Sequence, residues 1–112
     1  MKVLMNGLNN LKRNKMEQIE NIRKQVQEYF DKNARHYIPT LELLDEDDKS
    51  HIVNTGTSII CTRHEVGYPG GSFVQAIVNN DLRATFSNAD TVNTLAVKFY
   101  LMMMYNMAVK LN

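Results

Sequence analysis

The sequence predicts an all-α domain with a long N-terminal helix and a C-terminal helical hairpin, and three observations carry that expectation. Apolar residues recur at spacings of three and four over two long stretches, about 9–35 and 91–111. Residues that favour helix starts precede the helical stretches, among them Asp45, Ser72, Asn88 and Asp90. A proline- and glycine-rich turn, Gly67-Tyr68-Pro69-Gly70-Gly71, separates an ambiguous middle from a helical C-terminal half. The 112 residues suit a single domain, 1–112, with one modest core.

In the first stretch Leu8, Leu11, Ile19, Ile22, Val26 and Tyr29 form an apolar stripe, which Met16 and Phe30 widen. Lys12, Arg13, Glu17, Glu20, Arg23, Lys24, Glu28 and Lys32 occupy the other faces. Glu20–Lys24 and Glu28–Lys32 have the favourable acid-first order at i, i+4. The stripe runs near the 3.5-residue coiled-coil period, although Lys15 falls on it. So long a helix in a small domain packs along a second long helix or against a symmetry mate.

Pro39 expels Ile38 from the α region and ends the helix at His36-Tyr37-Ile38. A short turn over Thr40–Leu44 is expected to bury Leu41, Leu43 and Leu44. The acidic run Asp45-Glu46-Asp47-Asp48 lacks the glycine and closing glutamate of a calcium loop, and it reads as a solvated helix start. Residues 52–62 are β-branched around Asn54-Thr55-Gly56 and allow a hairpin, which would make the class α+β. Ile52, Val53, Ile59, Ile60 and Val66 also fit one helical face. The helical neighbours on both sides favour helix.

Ser72 is expected to cap a helix that runs to about Phe86, with Phe73, Ile77, Val78, Leu82 and Phe86 on one face. A glycine turn at a helix start offers free N–H groups and a positive dipole end to an anion. Most such turns only stop one element and begin the next, and that is the favoured reading. The last helix, about Thr91–Leu111, has Val92, Leu95, Ala96, Phe99, Met102, Met103 and Met107 as its main face. Tyr100, Met104 and Tyr105 make its other faces apolar too, so it belongs in the core or a subunit interface. This predicts a homo-oligomer, at least a dimer.

A net charge of +1 argues against a nonspecific nucleic-acid binder. Cys61 is the lone cysteine, which excludes an intramolecular disulfide and fits a reducing compartment. No apolar run reaches the length of a signal peptide or a membrane span, so a cytoplasmic location and no membrane partner are expected. Cys61 and His64 are one helical turn apart, but no third group orients them, and His36, His51 and His64 lack zinc-site spacing. No enzyme activity, metal or cofactor is expected.

Three segments share a pattern: Gly67-Tyr68-Pro69-Gly70-Gly71-Ser72-Phe73, Ala76-Ile77-Val78-Asn79-Asn80-Asp81-Leu82 and Ala89-Asp90-Thr91-Val92-Asn93. Together they resemble small uncharacterised phage and prophage proteins, which read Gly-x-Pro-x-Gly-(Ser/Gly)-Phe, Ala-Val-x-x-Asn-Asp-Leu and Ala-Asp-x-x-Asn. The chain departs from them in having Gly70 where a second proline is frequent, and in lacking a Cys-Trp tail. The resemblance implies viral origin and a role in the infected host's cytoplasm, and no particular activity. Two binding functions follow as expectations. In one, the protein sequesters a phosphate-bearing nucleotide signal of host defence. Its candidate ligand-binding residues are Arg63, Gly70, Gly71, Ser72, Phe73, Asn79, Asn80, Asp81 and Arg83. In the other, it is a protein-interaction module that inhibits a host enzyme through its long helix or methionine-rich face. A structural or assembly role is a third alternative.

Overall fold

The computed structural model describes the backbone of residues 2–111 and the side chains of residues 14–111. It is 77% helical, and its described residues include no strand, so the fold is all-α. Helix α1 (Lys2–Tyr37) extends further at both ends than its apolar stripe. Leu8, Leu11, Lys12 and Arg13 lie outside the described side chains. The buried face is Ile22, Val26, Phe30 and Ala34, continued by Ile38 just past the helix end. Met16 is exposed, and among the described residues the core contacts of this helix begin at Ile19. Glu20 pairs with Arg23 at 3.3 Å rather than with Lys24.

A single 3-10 turn, Leu41–Leu43, follows Pro39. With three residues per turn, Leu41 and Leu44 stack on one side and both meet the core. Leu43 is left pointing outward, 83% exposed, which corrects the expectation that it is buried.

Helix α2 (Glu46–Arg63) settles the ambiguous middle as helix rather than hairpin. The acidic run is its start. Asp45 accepts from the Asp48 amide at 2.8 Å, and Asp48 accepts from the Asp45 amide, a capping box. Gly56 lies inside the helix because Val26 of α1 and Met103 of the C-terminal helix crowd it. A Cβ there would meet Val26 at 3.0 Å and Met103 at 3.4 Å. The helix stops in a Schellman motif. Val66 N–H donates to Cys61 C=O at 2.8 Å and Glu65 N–H to Thr62 C=O at 3.3 Å, with Glu65 in the left-handed region.

The helix expected over 72–86 is two helices, α3 (Ser72–Val78) and α4 (Leu82–Asn88). The break is chemical. Asn80 takes a φ of 59°, and Asp81 N–H donates to Ala76 C=O at 2.9 Å, which closes α3 with a second Schellman motif. The Asp81 carboxylate then accepts from Ala84 N–H at 3.0 Å and starts α4. The cap of α3 is Gly71, not Ser72, which is already the first helical residue.

Asp90 caps α5 (Thr91–Asn106) through Asn93 N–H at 2.7 Å, and His51 of α2 meets the same carboxylate at 2.9 Å. The helix ends short of Leu111. Gln25 of α1 takes the tail as a strand would, donating to Lys110 C=O at 2.8 Å and accepting from Lys110 N–H at 2.9 Å. Phe99 and Tyr100 are fully buried at the centre. Phe99 packs on Phe30 edge-to-face at 5.5 Å, and Tyr100 on Phe73 at 5.8 Å. Leu95, expected on the buried face, is exposed, because Ala96, Phe99, Tyr100 and Met103 fill that role.

Candidate functional site

The glycine turn is folded against α2. Gly70 N–H donates to Thr62 Oγ1 at 2.9 Å, and Gly70 C=O accepts from Gln75 Nε2 at 2.6 Å. A Cβ on Gly70 would fall 2.5 Å from Ser58 Oγ and 2.7 Å from Val74. Glycine is needed at this position for close packing on α2. Gly71, by contrast, faces open space, and Ser72 is exposed. Phe73 is a core residue against Tyr100.

The remaining candidate residues divide between structural work and the surface. Arg63 donates to Met104 C=O at 2.7 Å, where a cation suits the C-terminal turn of α5. Asn79, Asn80 and Asp81 form the junction between α3 and α4. Arg83 is exposed on α4. Arg63 and Asn80 do come together, in an open depression of about 410 Å³ that Ile77, Val78, Leu101, Met104 and Tyr105 complete. The glycine turn does not line it.

The nine residues singled out in the sequence omit an apolar concavity among the described residues. Leu82 and Phe86 of α4 and Leu95 and Leu101 of α5 stand around a groove of about 470 Å³. His36, Tyr37 and Pro39 at the end of α1 also line it, as does Lys98. Leu82 is 72% exposed and Phe86 49%. Leu101 also lines the Arg63 depression, so the two concavities are neighbours. The sequence signal was the i, i+4 pair Leu82/Phe86 together with Leu95, which read as core because helical spacing identifies an apolar face without saying what covers it. Leu101 stands six residues from Leu95, off that face, and carried no such signal.

Cys61 is buried, and that burial raises its thiol pKa, with Arg23 opposing the shift. The thiol is held in its unreactive form. Among the described residues no three His, Cys, Asp or Glu side chains cluster as metal ligands, and no helix is long and apolar enough to cross a membrane.

No protein-family model, curated protein or solved structure matches this chain.

Proposed function

We propose that this chain is a non-enzymatic protein-interaction module and that the α4–α5 face is its docking surface. One observation carries the reading: Leu82, Phe86, Leu95 and Leu101 stand exposed around a single groove. Single exposed leucines are ordinary, whereas a contiguous apolar patch with a polar rim is the pattern of a protein contact. The resemblance to phage and prophage proteins supports a host protein as the partner, with inhibition of a host enzyme as the outcome and the host cytoplasm as the place.

The test is affinity capture from host lysate with the wild type, Phe86→Asp and a control, Tyr68→Asp, at a 97% exposed position outside the groove. A protein retained by the wild type and the control but lost with Phe86→Asp supports the reading. An identical set of proteins on all three baits would sink it.

A second reading, sequestration of a phosphate-bearing nucleotide, is favoured by Arg63, Asn80 and Tyr105 sharing one depression. Arginine has donors beyond the one given to Met104, the Asn80 amide suits a base edge, and the exposed Tyr105 ring offers a stacking face. A cyclic or linear nucleotide should then raise the melting temperature of the wild type and raise it less in Arg63→Ala. An unchanged melting temperature across the nucleotide set would remove this reading.

A further inference from the structure

The groove has a charge sign. Lys98 lines it and no carboxylate does. The neighbouring depression, which shares Leu101, adds Arg63, again without a carboxylate. Arg83 stands exposed beside Leu82, with no ion pair among the described residues. An occupant must bring an apolar anchor for the groove and acidic groups for its cations.

The chain carries such a segment itself, just beyond Pro39 in sequence. Pro39 lines the groove, and the 3-10 turn Leu41–Leu43 follows. Leu43 is 83% exposed at its outer side. Glu42, Asp45, Glu46 and Asp47 are exposed around it in sequence, and the one basic partner they have is Lys49, 3.6 Å from Glu46. An exposed leucine among carboxylates is the chemical complement of a cation-lined apolar groove.

We propose that two copies of this chain pair by each seating its acidic 42–47 lobe, Leu43 foremost, on the other's α4–α5 groove. The inference rests on reading that groove as a docking face. The symmetry follows from distance. Pro39 and Leu43 are four residues apart, so the groove's proline and the lobe's leucine lie within about 14 Å of each other. A twofold axis between two such neighbouring patches brings lobe to groove twice and closes the pair. Groove-to-groove pairing would instead oppose Lys98 with its own copy. Self-pairing also covers apolar surface that otherwise invites nonspecific association.

Sedimentation equilibrium from about 5 to about 200 µM tests this on the wild type, Phe86→Glu, Leu82→Glu and Leu43→Glu. All three positions are exposed, and circular dichroism melts check that each variant folds. The wild type should be a dimer whose Kd weakens as NaCl rises from about 0.05 to about 0.5 M. Each variant should raise that Kd by about tenfold or more. An equimolar mixture of Phe86→Glu and Leu43→Glu should pair more tightly than either alone, because one groove and its opposing lobe stay intact in the mixed pair. Leu82→Glu takes the place of Phe86→Glu in that mixture if the latter fails to fold. Three results overturn the inference: a wild type that is monomeric at the highest concentration, a Leu43→Glu variant that pairs like the wild type, or a mixture no tighter than its components. A monomer together with capture that depends on Phe86 would reject self-pairing and leave the docking face standing. Capture and self-association that both ignore Phe86 would reject both.

Discussion

Adjacent glycines in this chain have opposite constraints. Gly70 has no room for a side chain, since Ser58 Oγ and Val74 occupy the space where its Cβ would be. Gly71 has nothing within 4 Å of that position, and its φ of −73° suits any residue. Gly70→Ala should therefore lower stability by about 1–3 kcal/mol through overpacking. Gly71→Ser, which keeps a good helix cap in open space, should change it by no more than about 0.5 kcal/mol. Urea titration of the two variants checks this. Equal losses would mean that the turn does not pack on α2 as described. Sequence alone treats the two glycines alike, as one turn that either binds an anion or only separates two elements. Their difference depends on Ser58 of α2, twelve residues before Gly70, which no local pattern brings to the turn.

Elements were legible where periodicity ran long and illegible where a single backbone angle decided. The buried face of α1 from Ile22 to Phe30 and the central Phe99 of α5 follow from three-and-four spacing. The capping role of the acidic run at 45–48 follows from residue type. The break at 79–81 did not follow, because apolar spacing continues through it from Ile77 and Val78 to Leu82 and Phe86. The deciding facts are the left-handed Asn80 and the Asp81 cap, which depend on local hydrogen bonds that spacing does not encode. As a result Leu82 and Phe86 leave the core face and enter the exposed groove. At this junction Asn80→Ala should cost about 1 kcal/mol, because an alanine in the left-handed region carries its Cβ clash without asparagine's compensating hydrogen bonding. Asn80→Gly should be neutral or stabilising. Thermal melts ranking glycine at or above asparagine and asparagine above alanine support the two-helix description. A continuous helix predicts alanine as the most stable of the three.

At the scale of the whole molecule, the helices meet through one buried ring system, and its polar end makes stability depend on alkaline pH. Tyr100 touches Phe99 at 5.9 Å and Phe73 at 5.8 Å, and Phe99 in turn packs on Tyr29 and Phe30 of α1. Its hydroxyl donates to Asn93 Oδ1 at 2.6 Å inside the core. Burial raises the Tyr100 pKa above its ordinary 10.0, a hydrogen bond with Thr55 opposes this and the Asp90 charge adds to it. The sign follows from linkage. The folded protein keeps the phenol protonated at a pH where the unfolded chain releases the proton, so unfolding sheds a proton in that range. The stability this contributes is fully present below the unfolded value near 10.0 and is lost progressively as pH rises above it. Because the ring joins α5 to α3 and, through Phe99, to α1, that loss should unfold the bundle as a unit rather than one helix. Melts from pH 8 to 11 should show midpoints that begin to fall above about 9, where the raised Cys61 thiol acts with the same sign, and fall more steeply above about 10, with circular dichroism and tyrosine fluorescence following one transition. Tyr100→Phe should remove most of the slope above about 10 while lowering stability at neutral pH by about 1–2 kcal/mol, since Asn93 loses its buried partner. An alkaline slope unchanged in Tyr100→Phe would assign the loss to other groups and separate the Tyr100 cluster from the stability of the whole.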